Sequence, residues 1–141
     1  MANPRGLRNN NPGNIDRTEV AWQGEDRSQR AREREHRFCV FNSPQAGFRA
    51  LAKTILTYRG KYQLRTVRGI INRWAPPVEN DTSAYVMQVS AALGVKPDDV
   101  INVRERSVMF GIAKAIARHE NGGDYWDDQV IHEGLTLAGI A

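Results

Sequence analysis

Apolar residues recur at three- and four-residue spacing through most of the chain after residue 43, the signature of amphipathic helices. Ser43-Pro44 supplies the cap and first-turn residues that favour a helix start, and Phe48, Leu51, Ile55 and Tyr58 then share one face. A helix from 44 to about 61 follows. "RTVRGIINRW" predicts a second over 65–74, with Thr66 as its cap, and "APPVEND" must end it because consecutive prolines cannot continue a helix. Asp81 or Thr82 caps the next, "SAYVMQVSAALG", which stops at Gly94; "KPDDVIN" reads as a turn or a short helical piece. Residues 104–120 and about 127–138 predict the last two helices.

The first third follows another pattern. Residues 1–15 place Gly, Pro or Asn at nearly every second position, which predicts ordered loop and turns rather than helix. Segments 18–24 and 36–41 are aromatic and β-branched with partial alternation, and predict two short strands. The mixed-charge "EDRSQRAREREHR" between them reads as an exposed hairpin connection. The expected class is α+β, mainly α: five to six helices and a small β-hairpin in a single domain, 1–141, with no repeat or linker.

At 141 residues the chain is long enough to bury a real core, and its 40% hydrophobic and 26% charged composition is ordinary for a globular domain. No run of about 18 apolar residues predicts a membrane span, and the polar "MANPRGLRNNNPGNI" lacks the apolar region of a signal peptide. Synthesis in a cytoplasm is therefore expected, with any later action elsewhere needing another agent. The single Cys39 excludes an internal disulfide and, small and alternating in "RFCVF", reads as a buried inert thiol.

Charge is segregated along the chain. Residues 42–75 carry seven bases and no acid (Arg49, Lys53, Arg59, Lys61, Arg65, Arg68, Arg73), while 119–141 carry five acids and no Lys or Arg. That polarity favours an anionic polymer on one side, although a solvated helix face explains any single residue equally well.

Chemistry narrows to carboxylates. His36, His119 and His132 share no metal-ligand spacing, no metal site or cofactor is expected, and nucleophile-elbow, P-loop and dinucleotide motifs are all missing. Glu120 stands out. Met109, Ile112, Ala113 and Ile116 form an apolar stripe whose next position it occupies, just before Gly122 and Gly123 end the helix. Partial burial and a helix C-terminus both favour the protonated form of a carboxyl, as a general acid requires; a helix-end Glu pointing into solvent is the bland alternative. "RWAPPVENDT" offers Glu79 and Asp81 beside Trp74 on a stiff turn, suited to lining a sugar groove, with helix capping the competing role for Asp81. The amides of "RNNNPGNI" suit acetamido sugars, and turn formation explains them as well.

Read in order, "RGLRNNNPGNI", "WQG", "RFCVFNSPQAGFRAL", "IINRWAPPVENDTSAY" and "AIARHENGG" resemble a family of small bacteriophage proteins, described as phage structural proteins or lysozyme-like endolysins, across residues 5–138. A second likeness is to peptidoglycan glucosaminidases and lytic transglycosylases, which place a helix ending in Glu-Ser-Gly ahead of an Asn-Leu-Phe-Gly-Ile-like segment. Here the similar "NNPGNI…WQG…F" comes first and "HENGG" last, so the resemblance implies a circularly permuted lysozyme-like fold. It further implies cleavage of the β-1,4 bond between N-acetylmuramic acid and N-acetylglucosamine, with Glu120 as general acid. A hydrolase also needs a second carboxylate, for which Glu79 and Asp124 are candidates; a transglycosylase needs none, since the muramoyl 6-hydroxyl attacks internally. Asn11, Asn14, Trp22, Trp74, Tyr85 and Tyr125 are the candidate substrate-binding residues, the aromatic ones equally suited to a core.

The expected partner is bacterial peptidoglycan, reached from the host cytoplasm with a holin or from within the virion, by a monomer. A non-catalytic virion component with the same fold is the alternative. A nucleic-acid module using Arg27, Arg30, Arg32, Arg34 and Arg37 ranks last, because Glu33 and Glu35 interleave with those arginines and no aromatic platform accompanies them; no specific nucleic acid is expected.

Overall fold

In the computed structural model, residues 3–141 are described and are mainly helical. The helices are α1 (Arg5–Arg8), α2 (Gln29–Arg34), α3 (Pro44–Tyr62), α4 (Val67–Trp74), α5 (Thr82–Leu93), α6 (Arg106–Asn121) and α7 (Asp128–Leu137). The last five are those the periodicity predicts. Their starts are set by side chains that satisfy otherwise orphaned amides: Ser43, Thr66 and Asp81 accept from Ala46, Gly69 and Ala84 respectively. The ends of α5 and α6 fall at Gly94 and Gly122, both left-handed with φ of 69° and 75°. "KPDDVIN" is a turn.

Three expectations fail in the N-terminal third. The β-hairpin does not form: among the described residues there are only two isolated antiparallel bridges, Asp16–Phe38 and Glu25–Phe41. Segment 36–41 begins with a bend at 36–37 and then changes partner midway, pairing Cys39 N with Ile15 O at 2.9 Å and Val40 O with Asp26 N at 2.7 Å. The 18–24 segment instead turns on itself, the Thr18 hydroxyl accepting from Val20 N at 3.2 Å. The exposed connection contains α2, capped by Ser28 and anchored by buried Ala31; its Gln, Arg, Ala and Glu residues are good helix formers. The opening loop contains the single turn α1.

One core runs between the long helices. Phe48, Leu51 and Ile55 of α3, Ile70 and Ile71 of α4, Val89 of α5, Met109, Ile112 and Ile116 of α6, and Leu135 of α7 are all fully buried. α3 and α7 pack closely because Gly134 faces Phe48: a Cβ there meets the Phe48 Cβ at 2.5 Å and the Gln45 carbonyl oxygen at 3.0 Å. A smaller cluster of Cys39, Phe41, Ala46 and Ala50 takes Ile15 and Trp22 against it. Burial pushes the Cys39 thiol up to about 12, with the nearby Glu25 charge adding to the effect, so it stays protonated.

The N-terminal third is joined by polar contacts. Glu35, 4% exposed, accepts two hydrogen bonds from Arg5 (2.7 and 2.8 Å), one from the Asn9 amide, and one each from the Arg37 and Phe38 backbone N–H groups at 2.8 Å. Burial alone raises such a carboxyl, but the Arg5 guanidinium and the two backbone amides outweigh it and hold it far below its ordinary value of 4.5. No helix among the described residues is long and apolar enough to cross a membrane.

Two outcomes follow. Gly134→Ala forces α3 and α7 apart and lowers unfolding free energy by about 1–3 kcal/mol in urea titration, with circular dichroism otherwise unchanged. Because the folded Glu35 is depressed, its contribution is complete above the unfolded value of 4.5 and is lost as the pH falls below it. Glu35→Gln therefore costs about 2–4 kcal/mol near neutrality, and its stability falls less steeply than wild type on titration to about pH 3.

Candidate functional site

The loop from Asn9 to Asp16 has almost no regular structure, and asparagine side chains satisfy its backbone. Asn11, fully buried, donates to the carbonyls of Ile15 and Cys39, both at 3.0 Å, and accepts from Ile15 N at 2.9 Å. Asn10 donates to Phe41 O at 3.1 Å. The loop lies tight on its neighbours: Gly47 of α3 leaves room for the Asn10 carbonyl, and a Cβ on Gly13 meets the Trp74 indole at 2.6 Å. Asn121, the last residue of α6, reaches back to donate to Pro12 O at 3.0 Å.

This packing brings Asn14 to Glu120. Asn14 adopts a left-handed backbone with φ of 49°, which an Asn tolerates better than most residues, and its Nδ2 donates to Glu120 Oε1 at 3.3 Å. The other carboxylate oxygen, Oε2, accepts from the Tyr85 hydroxyl of α5 at 2.9 Å. Tyr85 is 1% exposed. Burial, and then the Glu120 charge, push its phenol strongly up, so it remains an O–H donor; the Trp74 indole beside it opposes the shift weakly. The His119 ring stacks on Tyr85 with centroids 3.6 Å apart, and its Nδ1 meets the Gln88 side chain.

Glu120 opens into a cleft of about 520 Å³, within the range of small-molecule sites. Gly13, Asn14 and Ile15 form one side, Trp74, Ala75, Glu79 and Asn80 another; Thr54 and Tyr58 of α3 and the Asp16, Arg37 and Phe38 segment complete it. Asp16 and Arg37 pair across the rim at 2.8 Å.

Of the sequence candidates, Glu120, Asn14, Trp74 and Glu79 line this cleft, and Tyr85 stands behind Glu120. Asp81 caps α5. Four candidates lie elsewhere. Asn11 is buried with its amide bonded to the backbone, because the turn needs those bonds more than it can spare them. Trp22 packs on the Cys39–Phe41 cluster. Tyr125 is 45% exposed and meets Trp126 edge-on at 6.3 Å, outside the cleft lining. Asp124 also lies outside, 3.5 Å from Arg118. Thr54, Asp16, Phe38 and Asn80 are not singled out by sequence; Arg37 figures only in the nucleic-acid alternative, and Tyr58 carries only a core signal, the last position of an apolar stripe. Among the described residues no three His, Cys, Asp or Glu side chains converge to hold a metal ion. Arg27, Arg34 and Arg37 spend their guanidinium groups on Glu25, Asn9 and Asp16.

The Tyr85–Glu120 bond is testable. Tyr85→Phe keeps the packing and removes the donor, costing about 1.5–3 kcal/mol for a hydrogen bond to a charged group. In a double-mutant cycle with Glu120→Gln, urea unfolding shows a coupling of about 1 kcal/mol or more; additive effects contradict the contact.

No protein-family model matches the chain. It is 35% identical over 134 residues to Protein P5 of Pseudoalteromonas phage PM2, an alignment that spans 93% of this chain and 79% of that protein. Identity at that level over nearly the whole chain shows that the protein belongs to the same family as Protein P5.

Proposed function

We propose that this protein cleaves the β-1,4 glycosidic bond between N-acetylmuramic acid and N-acetylglucosamine in bacterial peptidoglycan, with Glu120 as general acid on a permuted lysozyme-like fold. The observation that carries this reading is the meeting of Glu120 with Asn14, 106 positions away, at a cleft large enough for sugar rings. A carboxyl at a helix end, held in orientation by a buried phenol on one oxygen and by the Asn14 amide on the other at the edge of a polar cleft, is placed to exchange a proton with a glycosidic oxygen. Tyr85 donates to Oε2, and Asn14, which lines the cleft, donates to Oε1. Trp74 and Tyr58 offer apolar faces to the sugars, and Asn14 and Asn80 offer amides to their acetamido groups.

Departure of the leaving sugar then follows one of two courses. In a hydrolase Glu79, which shares the cleft with Glu120, activates water or attacks; in a lytic transglycosylase the muramoyl 6-hydroxyl closes onto C1. The phage relationship fits an enzyme that acts at host lysis or during penetration, as a monomer, reaching the wall from the host cytoplasm through a holin or as part of the particle. Basic residues of 42–75 then hold it at the anionic envelope.

Mass spectrometry of purified Gram-negative peptidoglycan digested by wild type and by Glu120→Gln tests the reading. Muropeptides released by wild type fall by about 10²–10⁴-fold in the variant, the range for loss of a general acid. Anhydro products indicate a transglycosylase, reducing ends a hydrolase whose output also collapses in Glu79→Gln. Undiminished activity in folded Glu120→Gln removes Glu120 from the mechanism. No products from wild type leave the alternative, a virion component without activity.

A further inference from the structure

Beside the cleft, a second groove of about 760 Å³ runs between the end of α3 and α4, lined by Tyr58, Tyr62, Leu64, Asn72, Arg73 and Pro76 among others. Tyr58 lines both hollows, so the groove adjoins the cleft across this one side chain. The aromatic rings form a series: Trp74 meets Tyr58 at 6.5 Å, and Tyr58 meets Tyr62 at 6.4 Å. Over the last of these lies the Arg73 guanidinium, 3.5 Å from the Tyr62 centroid and 5.4 Å from that of Tyr58.

Arg73 is exposed and, among the described residues, makes no ion pair and donates no side-chain hydrogen bond. Stacking engages only its flat face and fixes its plane, which leaves the N–H edge free and oriented. A fixed guanidinium fork is suited to a carboxylate, which it takes through two parallel hydrogen bonds. The surrounding tyrosines and Leu64 supply apolar area that suits a sugar ring.

We propose that this groove is a second saccharide site, which takes a carboxylate-bearing sugar of the glycan strand threaded through the cleft and pairs that carboxylate with Arg73. The inference rests on the glycan reading of the cleft and deepens it: Arg73 makes the protein prefer an acidic, muramyl-containing strand over a neutral N-acetylglucosamine polymer. The acidic group is the lactyl carboxylate itself or the peptide stem attached to it.

Calorimetric titration in the catalytically blocked Glu120→Gln background tests this without turnover. The probes are neutral chitohexaose, a peptidoglycan tetrasaccharide with free lactyl carboxylates, and the same tetrasaccharide carrying its peptide stems. Glu120→Gln is expected to bind an acidic probe about ten-fold more tightly than chitohexaose, the scale of one charge-assisted contact. Adding Arg73→Gln abolishes that preference and leaves chitohexaose binding within about two-fold, while Arg73→Lys restores part of it. The acidic probe that loses affinity identifies which carboxylate is read. Equal binding of all probes with and without Arg73 overturns the proposal while leaving the cleft reading intact, as does an equal loss on every probe. Binding of no probe by folded Glu120→Gln overturns both. Arg73 is exposed, and an unchanged thermal midpoint shows that Arg73→Gln folds.

Discussion

The side chain of Asn121 donates to Pro12 O at 3.0 Å and, within its own helix, to Ala117 O at 2.9 Å. The first of these bonds fastens the N-terminal loop to the last turn of α6, and the cleft depends on it. Loop 9–16 has no helix or strand of its own, and backbone bonds tie it to 38–41 at a few points, Phe41 N to Asn9 O and Cys39 N to Ile15 O, both at 2.9 Å. Between those points it is fixed by asparagine side chains and by close approaches at Gly47 and Gly13 that leave no space for a Cβ. With the loop so fixed, Asn14 meets Glu120 and the cleft acquires its polar wall.

The same arrangement explains why polar residues are buried in the N-terminal third. Asn9, Asn11 and Glu35, and Asn121 of α6 that meets them from outside, are each less than one tenth exposed, and each is bonded to backbone or to another polar side chain. A segment too short of aliphatic residues to build its own core substitutes directional contacts for burial, which makes its geometry specific and its stability pH-dependent through Glu35. The helical remainder packs by ordinary hydrophobic burial. Glu120 and Tyr85 stand where the two modes meet, one arm of the site from each.

The cleft and the neighbouring groove share Tyr58, a residue that is half core and half surface. On α3 it continues the stripe of Phe48, Leu51 and Ile55, yet its ring edge faces Trp74 on one side and Tyr62 on the other. Burial pushes its phenol up, against the pull of Arg73, so the ring offers a neutral surface to whatever lies in either hollow.

Sequence alone determined the helical scaffold. Ser43, Thr66 and Asp81 cap helices in the structure because a cap is a local event, requiring only a side-chain oxygen a few residues from an orphaned N–H. The position of Glu120 at the end of an apolar stripe was legible for the same reason: helical periodicity is local. The N-terminal third was not. Segment 36–41 pairs with two different stretches, and α2 is held by a cap and one buried alanine, so neither leaves a clear period in the sequence. Nor does spacing along the chain tell which of two nearby asparagines of the loop, Asn11 or Asn14, faces the cleft. Asn11 is spent on the backbone and Asn14 is free to reach Glu120 because of contacts with Cys39 and α6, remote segments whose approach only the tertiary packing decides.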